Sequence, residues 1–179
     1  MLGSLNRFIG TYPPQFKSDA DRAKVYTLWD AALQKAWLLE KSAPAAEKTQ
    51  FILSELYRQG HNMDIIGAGK RAMTTVDGCL KAYPDSQLCH LSAAYLYLSI
   101  NPTLVPKAEA SLLRLRQLAA PRIHSEAERG LVFVYLQTGR NQMALAQLDS
   151  VIAREPMAKW ATDLRTALKD GKVEIKVAK

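Results

Sequence analysis

Three alanines set the ruler for this chain. Ala72, Ala108 and Ala144 stand 36 residues apart each time. Four residues after each comes an aliphatic side chain (Val76, Leu112, Leu148), and seven after comes another small or apolar one (Cys79, Leu115, Val151). A small residue followed by apolar ones at those offsets is one face of an α-helix. Twelve residues after the alanine stands Pro84, Ala120 with Pro121 behind it, or Pro156. The proline ring cannot continue a helical hydrogen-bond ladder, so each helix ends there. A chain that repeats such a unit folds as a stack, because one unit cannot bury its own apolar stripe.

Each copy carries a second helical pattern in front of the first. Leu53/Tyr57, Leu91/Tyr95 and Leu131/Tyr135 are i, i+4 pairs that stack on one helix face. Turns follow at Gly60, at Asn101-Pro102 and at Gly139, and Asp85-Ser86, Ser125 and Asn141 are the expected N-caps. Upstream, Ala32, Ala36, Leu39 and Pro44 repeat the ruler once more as a half-repeat, with a helix expected from about Asp19 to Lys41. Downstream, Trp160, Leu164 and Leu168 predict a terminal helix over Lys159–Lys169 that covers the last apolar face. The chain thus divides into an irregular segment over 1–18, a repeat domain over 19–170 and a tail over 171–179. In the first segment Phe8, Ile9, Tyr12 and Phe16 show no helical period; Leu5 to Phe16 packs into the protein's own groove or a neighbour's. In the tail, Val173 to Val177 reads as extended or as a short strand.

Composition narrows the function. With 48% hydrophobic and 23% charged residues the chain has material for a core. The 24 Lys and Arg outnumber the 17 Asp and Glu by seven, which raises the prospect of nucleic acid, anionic lipid or an acidic protein as partner. The excess is spread along the chain, with Lys107, Arg114, Arg116 and Arg122 the only mildly one-signed stretch, so a solvated surface is expected. No apolar run approaches the roughly 20 residues of a membrane span. The N-terminus lacks the apolar core of a secretory signal. A soluble protein follows, cytoplasmic if the chain is complete and periplasmic or secreted if a signal has been removed.

No catalytic constellation stands out. Gly67-Ala68-Gly69-Lys70 lacks the first glycine and the Ser or Thr of a phosphate loop, having Asp64 and Arg71 there. The three histidines, His61, His90 and His124, show no i, i+4 pair, and no nucleophile elbow occurs. The expectation is a non-enzyme with no cofactor and no metal.

The two-helix period resembles the tetratricopeptide repeat, a helix–turn–helix unit of about 34 residues. The copy from Ser125 to Pro156 matches the family's offsets at Leu131, Tyr135, Gly139, Ala144, Leu148, Val151 and Pro156, with Val132 where a very small residue is usual. The copy from Asp85 to Ala120 matches at Leu88, Leu91, Tyr95, Ala108, Leu112 and Leu115, with about four extra residues, Asn101 to Leu104, in its turn. The copy ending at Pro84 is more divergent. The resemblance implies an all-α solenoid: a right-handed superhelix of about three repeats, an N-terminal half-repeat and a C-terminal capping helix. Its concave groove would be lined by Ser86, Cys89, Ala93, Leu96 and Tyr97 from one repeat. Glu126, Arg129, Phe133, Leu136 and Gln137 would line it from the next. It further implies a protein–protein interaction scaffold that takes a peptide or protein segment in that groove. The carboxylate clamp of chaperone-binding members is not expected, since only Arg129 among the corresponding positions is a suitable cation. The alternatives are a homo-oligomeric structural subunit and, behind it, nucleic-acid binding by the basic surface.

Cys79 and Cys89 lie five residues either side of Pro84, which puts them at equal height on facing helices. They either pair or stay apart as a small core residue and a semi-buried groove thiol, because pairing needs the right rotation as well as the right height.

Overall fold

A computed structural model describes residues 2–173, which form nine α-helices and no strand. The expected strand or extended run at Val173 to Val177 lies, beyond its first residue, outside the described residues. Three helical hairpins make the body: α3 (Glu47–Asn62) with α4 (Ala68–Ala82), α5 (Gln87–Ile100) with α6 (Val105–Ala119), and α7 (Ser125–Gln137) with α8 (Asn141–Arg154). They follow α1 (Leu2–Ile9) and α2 (Asp19–Ser42) and precede α9 (Lys159–Lys169). The first helices α3, α5 and α7 touch in series, and each second helix also touches the first helix of the next hairpin. This is the stacking order of a helical-hairpin solenoid.

The helix ends follow from local chemistry. α2, α4, α6 and α8 each stop two residues before a proline, at Ser42, Ala82, Ala119 and Arg154. Ser18 caps α2 and Ser86 caps α5, each accepting a backbone N–H one turn on. Two expected caps differ. α7 is capped by the His124 ring nitrogen rather than by Ser125, and α8 begins after Arg140 with no side-chain cap. Gly139 supplies the left-handed turn between α7 and α8 at φ 70°.

The interior is one continuous apolar cluster from Leu5 and Ile9 through the repeat alanines to Ala161. Ala72, Ala108 and Ala144 are completely buried, so the paired helices pack over a methyl group at each repeat. Around them Leu53, Leu96, Leu112, Leu131 and Leu148 are sealed from solvent, each contributing roughly 2 kcal/mol by burial. Ion pairs reinforce the stack within and between repeats. Glu128, itself buried, accepts from Arg116 of the preceding repeat at 3.1 Å and from Arg154 of its own hairpin at 3.0 Å, and Arg140 reaches Glu109 of the preceding repeat at 2.7 Å.

The N-terminal segment is not irregular throughout. Residues 2–9 form α1, which packs on α2 and α3 with Leu5 and Ile9 buried in the same chain. It packs on α3 more than on α2, so it does not pair with α2 as the later first helices pair with their partners, and α2 remains an N-terminal half-repeat. The helix is only 8 residues long, too short to stand alone, and its C-terminus is held by polar groups of α3. Arg58 donates to the Gly10 carbonyl at 2.6 Å and to Asn6 at 3.2 Å. Asn62 donates to the Ile9 carbonyl at 3.0 Å, and Gln59 to Asn6 at 2.8 Å. Glu55 neutralises Arg58 at 2.8 Å and accepts from Ser92 of α5 at 3.1 Å. These side chains of α3, distant in sequence, supply the partners that so short a helix lacks, while Leu2, Leu5 and Ile9 supply its apolar face.

Cys79 and Cys89 are joined in a disulfide with 5.7 Å between their Cα atoms. The bond staples α4 to α5 across the Pro84 turn, and both residues are buried. Cys89 is therefore not a groove thiol.

Two glycines predict opposite signs. A Cβ at Gly60 would lie 2.7 Å from Cζ2 of Trp29. That ring is fixed by its N–H bond to the Leu56 carbonyl at 2.8 Å, so Gly60→Ala should lower stability by about 1–3 kcal/mol. A Cβ at Gly78, inside α4, meets nothing within 4 Å, so Gly78→Ala should raise stability by up to about 1 kcal/mol. Urea denaturation of both variants checks the contrast. Separately, Cys79→Ala/Cys89→Ala should lower stability by about 2–3 kcal/mol. The same denaturation curves, run without reductant, measure that loss.

Candidate functional site

The first helices of the hairpins face a common hollow. A cavity of about 720 Å³ lies along α5 and α7, between the α5–α6 connection and residues 10–12. α5 contributes Tyr95 and Leu98, α7 contributes Arg129, Phe133 and Gln137, and α3 contributes Arg58. The connection adds Pro102 and the start of α6 adds Pro106, neither with a backbone donor, and Tyr12 also lines the hollow. Phe133 is 45% exposed and Tyr12 is 62% exposed, so two aromatic rings face solvent at the hollow.

The expected groove residues divide by helix. On α7, Arg129, Phe133 and Gln137 line the cavity. Glu126 stands beside it as acceptor of the Tyr95 hydroxyl, while Leu136 is buried beneath. On α5 the expectation fails. Ala93, Leu96 and Tyr97 are buried in the core, Cys89 is in the disulfide, and Ser86 caps the helix and bonds Glu47.

The reason is a register error. The buried set of α5 (Cys89, Ser92, Ala93, Ala94, Leu96, Tyr97) matches the set Ala127, Gly130, Leu131, Val132, Val134, Tyr135 of α7 at a constant offset of 38 residues. Equating Leu91/Tyr95 with Leu131/Tyr135 imposes 40. Two residues rotate a helix by about 200°, which turns the groove face into the core. The counterpart of Tyr135 is thus Tyr97, and the turn of this repeat carries two fewer extra residues than expected. Tyr95 corresponds to Phe133 and Ser99 to Gln137, both on the cavity wall. The small pair Ala93-Ala94 was the available signal, since Ala94 takes the position where a small residue is usual. Arg58 and Tyr12 had no such signal, because the fold of residues 1–16 brings them to the site.

The charges at the site are held unequally. Arg58 is 4% exposed and spends its donors on Glu55, Asn6 and Gly10, with its guanidinium 5.7 Å from the Tyr95 ring centroid. Arg129 lies 4.8 Å from the Trp160 ring centroid and has no hydrogen bond or ion pair to the described residues. Burial, and then the bond to Glu126, pushes the Tyr95 phenol well above its ordinary range, against a smaller opposite pull from Arg129 and Arg58. Tyr95 therefore stays a neutral donor. Tyr97, on the core side, is pushed up to about 12 by burial and by Asp77. No group of three or more His, Cys, Asp and Glu able to hold a metal occurs among the described residues. Nor is any described helix long and apolar enough to cross a membrane.

No protein-family model matches the sequence, and no curated protein matches it. A solved structure does. The chain is similar to a thermophilic TPR protein of Thermus thermophilus, with 22% identity over 83% of this chain and 76% of that one. The TM-score is 0.68. Together with the hairpin stacking order and the 36-residue ruler, this likeness establishes the fold as a tetratricopeptide-like α-solenoid.

Proposed function

We propose that the chain is an interaction scaffold that binds a peptide or protein segment in the hollow along α5 and α7. One observation carries the reading: an apolar cavity with exposed aromatic rings and a few polar groups opens on the first-helix face of the stack. Exposing Phe133 costs a solvated protein free energy that a bound apolar side chain would return. The reading is of a non-catalytic protein, because binding needs only the shape and chemistry already at the wall.

The alternatives are less well supported. Leu5 and Ile9 pack on α2 and α3 of their own chain, which weakens the oligomer reading, although Tyr12 of the same segment stays exposed. Arg114 and Arg116, which suggested a nucleic-acid surface, are paired with Asp85 and Glu128. The disulfide favours an oxidising compartment, where such bonds persist, and so supports the periplasmic or secreted assignment over the cytoplasmic one.

The double variant Arg129→Ala/Phe133→Ala tests the reading. Affinity capture from native extract, with mass spectrometry, should lose its partners while circular dichroism shows unchanged helicity. Retention of the same partners by the variant would overturn the groove.

A further inference from the structure

The cavity also carries information about what it selects. Its wall holds two guanidinium groups and no carboxylate. Arg58 is spent internally, with Glu55 for its charge and Asn6 and Gly10 for its donors. Arg129 is different. It is exposed, lies 4.8 Å from the Trp160 ring centroid, and has no hydrogen bond or ion pair to the described residues. Its N–H donors are therefore unspent, and a guanidinium fork matches one carboxylate in bidentate geometry. Glu126, one turn earlier on α7, makes no ion pair with Arg129 and instead takes the Tyr95 hydroxyl.

Around this single unspent cation the rest of the wall, the internally paired Arg58 aside, is apolar or uncharged. Tyr95, Leu98 and Phe133 offer surface for an aliphatic or aromatic side chain, and Gln137 has no side-chain bond to the described residues. Its carboxamide can give and accept a hydrogen bond with a peptide backbone.

We infer that the groove selects a peptide segment in which an apolar side chain, seated against Tyr95, Leu98 and Phe133, neighbours an internal Asp or Glu that pairs with Arg129. This deepens the proposed function and rests on it. The carboxylate is assigned to a side chain because Arg129 is the one cation among the positions at which related repeats clamp a chain terminus, and the amidated peptides of the test separate the two sources. A single Arg–carboxylate pair at a partly exposed rim contributes selectivity more than raw affinity.

The test pans a random-sequence peptide library on the intact chain and measures enriched peptides, synthesised with amidated C-termini and a fluorophore, by anisotropy. Enriched peptides should share an acidic residue next to an aliphatic or aromatic one. Arg129→Gln, or Ala in place of the peptide acid, should each weaken binding by about three- to fivefold. The two changes together should do little more than either alone. Arg129→Glu should recover affinity for a peptide whose acid is replaced by Lys. Circular dichroism of each variant excludes unfolding as the cause of a loss. Enriched peptides that lack an acid, or that bind only with a free C-terminal carboxylate, would overturn the inference; if Phe133→Ala still abolishes their binding, the groove reading survives. No enrichment, or binding indifferent to Phe133→Ala, would overturn both.

Discussion

The close approach of paired helices at Ala72, Ala108 and Ala144 governs the rest of the molecule. With a methyl group at the contact, the two helices of a hairpin meet tightly enough that no groove opens inside the unit. The apolar stripe must then turn outward to the next hairpin. From this follow the serial contact of α3, α5 and α7, the single continuous core, and a face made only of first helices. The hollow along α5 and α7 lies on that face, so it is a product of how repeats stack rather than of any one repeat.

Sequence periodicity made the second helices and the prolines that end them legible, because both obey rules local to a few helical turns. It did less well where packing chooses between two local patterns. α5 contains two acceptable pairs, Leu91/Tyr95 and Ala93/Tyr97, and propensity cannot separate them. The repeat chose Tyr97 because Ala93-Ala94 admits the close approach of neighbouring helices and Tyr97 reaches Asp77. Selecting the larger aliphatic partner, Leu91, turned half of the expected groove into the core.

Two other features depend on distant residues. α1 carries only a short apolar period, Leu2, Leu5 and Ile9, and Arg58 and Asn62 satisfy the carbonyls at its end while Gln59 bonds the Asn6 side chain. The pairing of Cys79 with Cys89 needed a rotation about two helix axes that spacing alone does not encode. On α7, by contrast, Arg129, Phe133 and Gln137 were legible because that repeat has a turn of ordinary length. A correct count through a turn is what carries a face from one helix to the next.

The staple between α4 and α5 has a mechanical consequence. A solenoid bends at the joints between neighbouring units, each joint acting nearly independently of the others. Here one joint is covalently pinned, so the array is a spring with a welded coil. Flexing is left to the joints on either side, α2 against α3 and α6 against α7. The second of these sets the spacing between α5 and α7, so breathing of the stack widens or narrows the mouth of the hollow while its α5 wall stays still.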